Sequence, residues 1–313
     1  MDLIAIIREK IESIGDGDHT SGLKAMLVHV QTAIAHLRRG QDTSDETAFT
    51  DAIYRTNQAF EGSLKEAYRV LAEKKPEKKT PYQIEEYLTE KSVFRNRVLS
   101  QLTSYRTEWR NPSTHDHKLY FDSSEAFLAI VSVCAFASLL LDQIIEQLAR
   151  NRSKAEADAE NERLSNLLKP HKDDLPLFVG HAVAEFMREH RPTRDGPRMN
   201  EAGLLGALSG FLESIAPDSS VTSEYQLAER GHQRADILLQ RNGEHLLIEF
   251  KGMRDSRHLL NAGLDQLDSF MDLSGYTLGV LILGLDLSDA EVSDAHTRKG
   301  RRVVVVGPKA VAT

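Results

Sequence analysis

Asp236, Glu249 and Lys251 are spaced so that hairpin geometry gathers them on one face of a sheet. Residues 235–240 read as one strand and residues 245–251 as its partner. Between them, Asn242-Gly243 is the strongest short hairpin signal, because both central positions of the favoured turn need positive φ. With that pair as the turn, Arg241 faces Glu244, and counting outward sets Asp236 opposite Glu249. Side chains alternate along a strand, so Lys251 shares the face of Glu249, while Leu246, Ile248 and Phe250 point the other way. Two opposed carboxylates repel, and a divalent cation between them removes that cost. The expected chemistry is a metal site, ligated by Asp236 and Glu249, with a lysine beside it. Mg²⁺ suits it, as a hard cation held by a few oxygens with its other positions left to water and phosphate; Mn²⁺ is the alternative. Such an ion lowers the pKa of water and neutralises phosphate charge, and Lys251 would orient the nucleophile or stabilise the phosphorane.

The pattern Asp-x12-Glu-x-Lys on a hairpin resembles the PD-(D/E)XK nuclease superfamily of restriction and recombination enzymes, over roughly residues 195–310. The resemblance implies that Asp236 and Glu249 are metal ligands and Lys251 the catalytic lysine. Ala235 stands where the superfamily's name has proline, the loosest position of the motif. A helical pattern from Met199 to Ile215 precedes the hairpin, with Leu204, Leu205, Leu208, Phe211 and Leu212 on one side. Glu201, at its start, matches the glutamate that many superfamily members place near the metal; equally, it is a first-turn acid favoured by the helix dipole. Val221 to Ala228 reads as the preceding strand and His258 to Leu273 as a following helix. Gln266, on that helix, resembles the glutamine of one superfamily branch, where it contacts substrate or the lysine strand. The tyrosine that usually follows is replaced by Phe270 or displaced. Thr277–Leu283 and Arg302–Val306 are apolar runs suited to buried strands. The expected order is helix, three strands, helix, two strands, matching a restriction-endonuclease-like mixed sheet flanked by helices.

The first half of the chain reads as an all-α bundle without a strand. Residues 2–14, 20–39, 45–74, 82–109 and 123–149 are expected as five helices. Phe94, Val98, Leu102, Tyr105 and Trp109 recur at spacings of three and four, giving one apolar stripe. The last helix opens with a capping-box pattern, Asp122 to Glu125. Its apolar stretch from Ala126 to Leu141 is shorter than a bilayer needs, which marks a core helix and not a membrane span.

Between the last two of these helices lies Arg110-Asn111-Pro112-Ser113-Thr114-His115. Pro112 is expected to stop the preceding helix, putting Arg110 at a helix end and His115 on a loop. The segment resembles the Arg-Asn-x-x-x-His motif of HEPN domains, helical bundles common in RNA-cleaving toxins. Residues 57–65 (Asn-Gln-Ala-Phe-Glu-Gly-Ser-Leu-Lys) also look like HEPN sequence, and the resemblance covers roughly residues 1–150. It implies metal-free RNA cleavage. His115 would move protons, Arg110 would grip the phosphate, and Asn111 would hold the histidine or the phosphate. It also implies a homodimer built through this domain, or an inactive bundle used for dimerisation or sensing. The bland alternative is an arginine capping a helix end and a solvent-exposed histidine. His117 adds no metal site, lacking further close ligands.

The length of 313 residues suggests two domains, and a 41% hydrophobic content supports two cores. The expected division is a bundle at 1–150, a charged, solvated helical connector at 151–169 and the nuclease-like domain at 170–313. The single cysteine, Cys134, falls in the apolar core helix, so an internal disulfide is excluded and a cytoplasmic setting is expected. The N-terminus lacks the basic region of a secretory signal. A net charge of −8 argues against tight non-specific nucleic-acid binding. It leaves room for catalysis that depends on Mg²⁺ or assembly, with local basic clusters at Lys74 to Lys79, Arg95 to Arg110 and Arg298 to Arg302.

The expectation is an α+β two-domain nuclease that hydrolyses DNA with Mg²⁺ in its second half. The first half would dimerise, sense a trigger or cleave RNA, in anti-phage defence. Two rival classes stay open: a metal-independent RNase using Arg110 and His115, with the second half recognising nucleic acid, and a non-enzymatic regulator.

Overall fold

A computed structural model describes residues 2–115, 120–189, 200–228, 233–251, 256–284 and 290–308; at 115 and 256–258 it describes the backbone alone. The chain is mixed α+β and divides into two compact units, Met1–Leu148 and Ala149–Thr313.

The first unit is helical: α1 (Leu3–Ile14), α2 (Thr20–Thr43), α3 (Thr47–Leu71), α4 (Pro81–Glu90), α5 (Asn96–Tyr105), a π-helical turn (Arg106–Arg110), α6 (Asn111–His115) and the start of α7 (Ser123–Ala159). The fourth expected helix is in fact two. α4 opens on a capping box, with Thr80 accepting from Gln83 N–H and Pro81 in the first turn. It ends at Lys91, and Ser92 then takes a left-handed φ of 51° before α5 begins. The apolar stripe lies beyond this break, and Phe94, Val98, Leu102, Tyr105 and Trp109 are all buried. Asp122 and Glu125 exchange both capping-box bonds at the start of α7, each 2.8 Å. Among the described residues α7 is the one helix long and apolar enough to cross a bilayer, yet Ala126, Ile130, Val133, Phe136, Leu140 and Ile144 are buried.

Pro112 does not stop the helical path. The Asn111 N–H reaches back five residues to the Arg106 carbonyl. Proline in a regular helix clashes with the carbonyl four residues earlier, and the wider π turn relieves that clash. Arg110 therefore sits inside a π turn, and the backbone of His115 closes α6 instead of lying on a loop.

The second unit takes in the end of α7, then α8 (Asn161–Leu168), a 3-10 turn (Lys169–His171), α9 (Leu175–Glu189), α10 (Glu201–Ile215), β1 (Ser219–Gln226), β2 (Arg234–Arg241), β3 (Glu244–Lys251), α11 (Ser256–Ser274), β4 (Leu278–Leu283), β5 (Ala290–His296) and β6 (Arg302–Pro308). Residues 151–169 are not solvated along their length. Ala157, Leu164 and Leu168 are buried in one core with α9 and α10; spaced seven and four apart, they fall on one side of this otherwise charged stretch.

Six strands form one sheet in the order β1-β2-β3-β4-β6-β5. The outer pairs β1–β2, β2–β3 and β5–β6 are antiparallel, and β3–β4 and β4–β6 are parallel. One face, with Ile237, Leu246, Ile248, Val280 and Val304, packs under α9 and α10. The other, with Leu238, Leu247, Leu281 and Val305, packs under α11 through Leu267, Phe270 and Met271. The expected order of strands lacked β5. That edge strand is too polar to read as a strand, with Glu291, Ser293 and Asp294 along it.

Candidate active site

The hairpin that carries the carboxylates has the expected register. Asn242 and Gly243 take φ of 51° and 83°, and Arg241 pairs with Glu244, Leu239 with Leu246 and Ile237 with Ile248. Beyond Ile237 the side chains take over the backbone's bonds. The Asp236 N–H donates to Glu249 Oε2 at 3.3 Å, and the Phe250 N–H donates to Asp236 Oδ2 at 2.7 Å. Each carboxylate thus ties itself to the opposite strand. Such bonds favour the charged form and hold both groups where they repel.

Glu249 is only 3% exposed. Lys251 Nζ donates to its Oε1 at 3.0 Å, and Gln266 Nε2, from α11, donates to the same atom at 2.8 Å. Burial, followed by the charge of Asp236, pushes the Glu249 carboxyl well above the usual carboxylate range; Lys251 pulls against this. Asp236 is also pushed up, chiefly by burial, against the Phe250 N–H bond and Lys251, with Glu201 and Glu224 adding repulsion. A pair of acids held together in this way, Glu249 buried and Asp236 half-buried, prefers to share a proton or to neutralise a cation.

Glu201 opens α10 behind the Asn200 cap and is exposed; it acts on Asp236 through its charge. Among the described residues no group of three or more His, Cys, Asp or Glu side chains stands close enough to hold a metal alone. The donor set is the carboxylate pair. It fits Mg²⁺, which binds through one or two carboxylates and keeps its waters. Among the described residues no hydrogen bond reaches Asp236 Oδ1, so that oxygen is available as a ligand.

Gly263 also builds this site, and the motif reading missed it. A Cβ at Gly263 would lie 2.6 Å from Leu281 Cδ1 and 3.2 Å from Lys251 Cγ, so the bare backbone lets α11 close onto the lysine's stem. A glycine in mid-helix costs stability, and that cost was the available signal. Gly263→Ala is expected to displace Lys251 or α11. Overpacking outweighs the gain in helix propensity, for a net loss of roughly 1–2 kcal/mol. If the site is catalytic, its rate in the folded variant should fall about tenfold for a ~1.4 kcal/mol rise in the barrier. A melting curve and a rate measured on the same sample check both.

In the first unit, Arg110 Nη1 donates to Asn111 Oδ1 at 3.1 Å, and its Nη2 lies 3.6 Å from Glu61. A buried polar chain anchors the turn to α3. Asn57 Nδ2 donates to Ser113 Oγ at 2.8 Å, Ser113 Oγ donates to the Arg110 carbonyl at 3.1 Å, and Tyr105 Oη lies 2.9 Å from Asn57 Oδ1. The His115 side chain, and His117 altogether, lie outside the described residues, so the pairing of Arg110 with His115 has no described geometry.

The basic cluster at Arg298 to Arg302 is not a free cationic surface. Arg298 pairs with Asp265, Lys299 and Arg301 with Asp272, and Arg302 with Asp174 and Asp294. Arg95 and Arg106 are likewise held by Glu146 and Glu85.

No family model, no curated protein and no solved structure matches this chain.

Proposed function

We propose that this chain is a Mg²⁺-dependent nuclease that hydrolyses DNA phosphodiesters at Asp236, Glu249 and Lys251, in a domain resembling the PD-(D/E)XK superfamily. The observation that supports it is one cluster: two opposed carboxylates, Glu249 buried and Asp236 half-buried, both pushed up in pKa, with Lys251 and Gln266 on the same oxygen of Glu249. Perturbed acids beside a cation are the arrangement expected of a catalytic centre. Asp236 and Glu249 would hold the ion, which when bound supplies phosphate charge neutralisation and a more acidic water.

The chain's own groups do the rest. Gln266 locks the Glu249 rotamer through Oε1. The Phe250 N–H holds Asp236 through Oδ2, and Oδ1 would then serve as the ligand. Lys251 Nζ donates to Glu249 Oε1 at 3.0 Å and could also donate a hydrogen bond to a phosphate oxygen as charge develops there. The first unit we read as a HEPN-like bundle that forms a homodimer and either senses a trigger or cleaves RNA. The biological setting we propose, by analogy of the two resemblances, is anti-phage defence in the cytoplasm.

The test is cleavage of labelled DNA and RNA by purified protein, with Mg²⁺ and with EDTA. Loss of DNA in Mg²⁺ alone supports the proposal. Loss of RNA that survives EDTA would move the chemistry to Arg110 and His115 and overturn it.

A further inference from the structure

Inside β1, Glu224 takes a left-handed φ of 48°. That conformation is uncommon for any residue with a side chain and is foreign to a strand interior. The flanking residues stay in register. Ser223 pairs with Ile237 and Tyr225 with Ala235, which sets Glu224 opposite Asp236 between them. A left-handed residue takes its own side chain out of the strand's regular alternation while the pairing goes on around it. Here that side chain is a carboxylate. Its Oε2 lies 3.5 Å from Arg234 Nη1, and its charge also repels Asp236.

Stability does not account for this arrangement. The contact is long, and the Arg234 and Glu224 side chains are 20% and 33% exposed, conditions under which an ion pair contributes little. An acid here also adds negative charge beside a carboxylate pair that already repels. Among the described residues the Arg234 side chain makes no other hydrogen bond or ion pair. The sheet therefore strains its backbone to hold a weak partner against an arginine.

Arg234 is placed for a stronger one. Strand alternation puts it on the face of Asp236, two residues and about 7 Å along β2. A polynucleotide with one phosphate at Asp236 and Glu249 brings a neighbouring phosphate within reach of this guanidinium. The planar fork of arginine matches phosphate oxygens, and that bond is shorter and stronger than the one Glu224 offers. We infer that Arg234 grips the DNA phosphate next to the scissile one, and that Glu224 occupies the arginine until a phosphate displaces it. The inference rests on the nuclease reading of Asp236, Glu249 and Lys251 and adds to it an internal competitor for the substrate.

The experiment measures KM and kcat for cleavage of a labelled DNA duplex by the full chain in Mg²⁺, across a salt series. Binding of the same duplex is followed by fluorescence anisotropy in EDTA at low salt. Both side chains are partly exposed, so both variants should fold. Glu224→Gln should tighten binding about three- to tenfold, because it releases the arginine and removes a repelling charge. Arg234→Ala should weaken binding at least about tenfold, the scale of a lost charge-assisted bond. Its loss in cleavage should fall on KM with kcat nearly kept. The slope of log(kcat/KM) against log salt should drop in magnitude by about one, as for one lost phosphate contact. In the Arg234→Ala background, Glu224→Gln should gain less than it does alone, since no arginine remains to be released. An unchanged KM and salt slope in Arg234→Ala, or no tighter binding in Glu224→Gln, would overturn this inference alone. A wild-type chain that cleaves no DNA in Mg²⁺ would sink the nuclease reading and this inference with it.

Discussion

Glu249→Gln should abolish Mg²⁺-dependent DNA cleavage while leaving the protein folded. The amide keeps the side chain's shape and still accepts from Lys251 and Gln266 through one oxygen. It removes the charge that a divalent cation needs, and a lost cation ligand at such a centre forfeits several kcal/mol of transition-state stabilisation. We expect a fall of at least about 10³-fold, since each ~1.4 kcal/mol is a factor of ten. Two stability effects oppose each other. Relief of the repulsion at Asp236 stabilises, and loss of the charged partner of Lys251 destabilises. Each is on the order of 1–3 kcal/mol for groups buried to this degree, so the net change should stay within about 1–2 kcal/mol. A cleavage time course beside a denaturation curve separates the two. Full activity in the folded variant would remove Glu249 from the chemistry.

The same strained pair should make stability depend on pH and Mg²⁺ together. Both carboxyls have folded-state pKa values above their unfolded ones. Between the unfolded value, about 4, and the raised folded values, the native state holds more protons than the unfolded chain. Stability must then fall as pH rises through that window and level off above it. This is the reverse of a salt-bridged carboxylate, whose contribution is lost as pH falls. Asp236→Asn removes the repulsion between the two carboxylates, and one of the two titrating groups, and should flatten the dependence. Mg²⁺ competes with the shared proton, so it should stabilise strongly at pH 8 and hardly at pH 5. At a hundredfold excess over its Kd the gain is ~2.7 kcal/mol, roughly 5–10 °C for a domain of this size. Scanning calorimetry at the two pH values, with and without Mg²⁺, reads it directly. A melting temperature indifferent to Mg²⁺ at pH 8 would sink the metal-site reading.

Much of this architecture was legible in the chain. The Asn242-Gly243 turn has two positive-φ positions and a strict period of two on either side, so the register that opposes Asp236 to Glu249 follows from local chemistry. The apolar stripe from Phe94 to Trp109, the capping box at Asp122 and the buried α7 follow from periodicity in the same way. The break between α4 and α5 was not legible, because buried apolar residues stand on both sides of it, Ile84 and Leu88 before and Phe94 and Val98 after, and only Ser92 changes hand. Nor was β5, whose polar residues become a strand by borrowing the hydrogen bonds of β6. Pro112 was misleading, because proline's usual helix-stopping effect is lost when a π turn makes room for its ring.

At the site, local sequence could determine which side chains share a face of the hairpin, because that depends on strand alternation and one turn. It could not determine how deeply Glu249 is buried, or that Gln266 would reach the same oxygen as Lys251 from a helix 17 residues along the chain. Those are consequences of α11 packing on the sheet through Leu267, Phe270 and Met271, at a distance that Gly263 allows. Burial is a property of the assembled layers. Because burial is the largest cause of the raised carboxyl pKa values, only the tertiary structure turns two opposed acids into a strained pair.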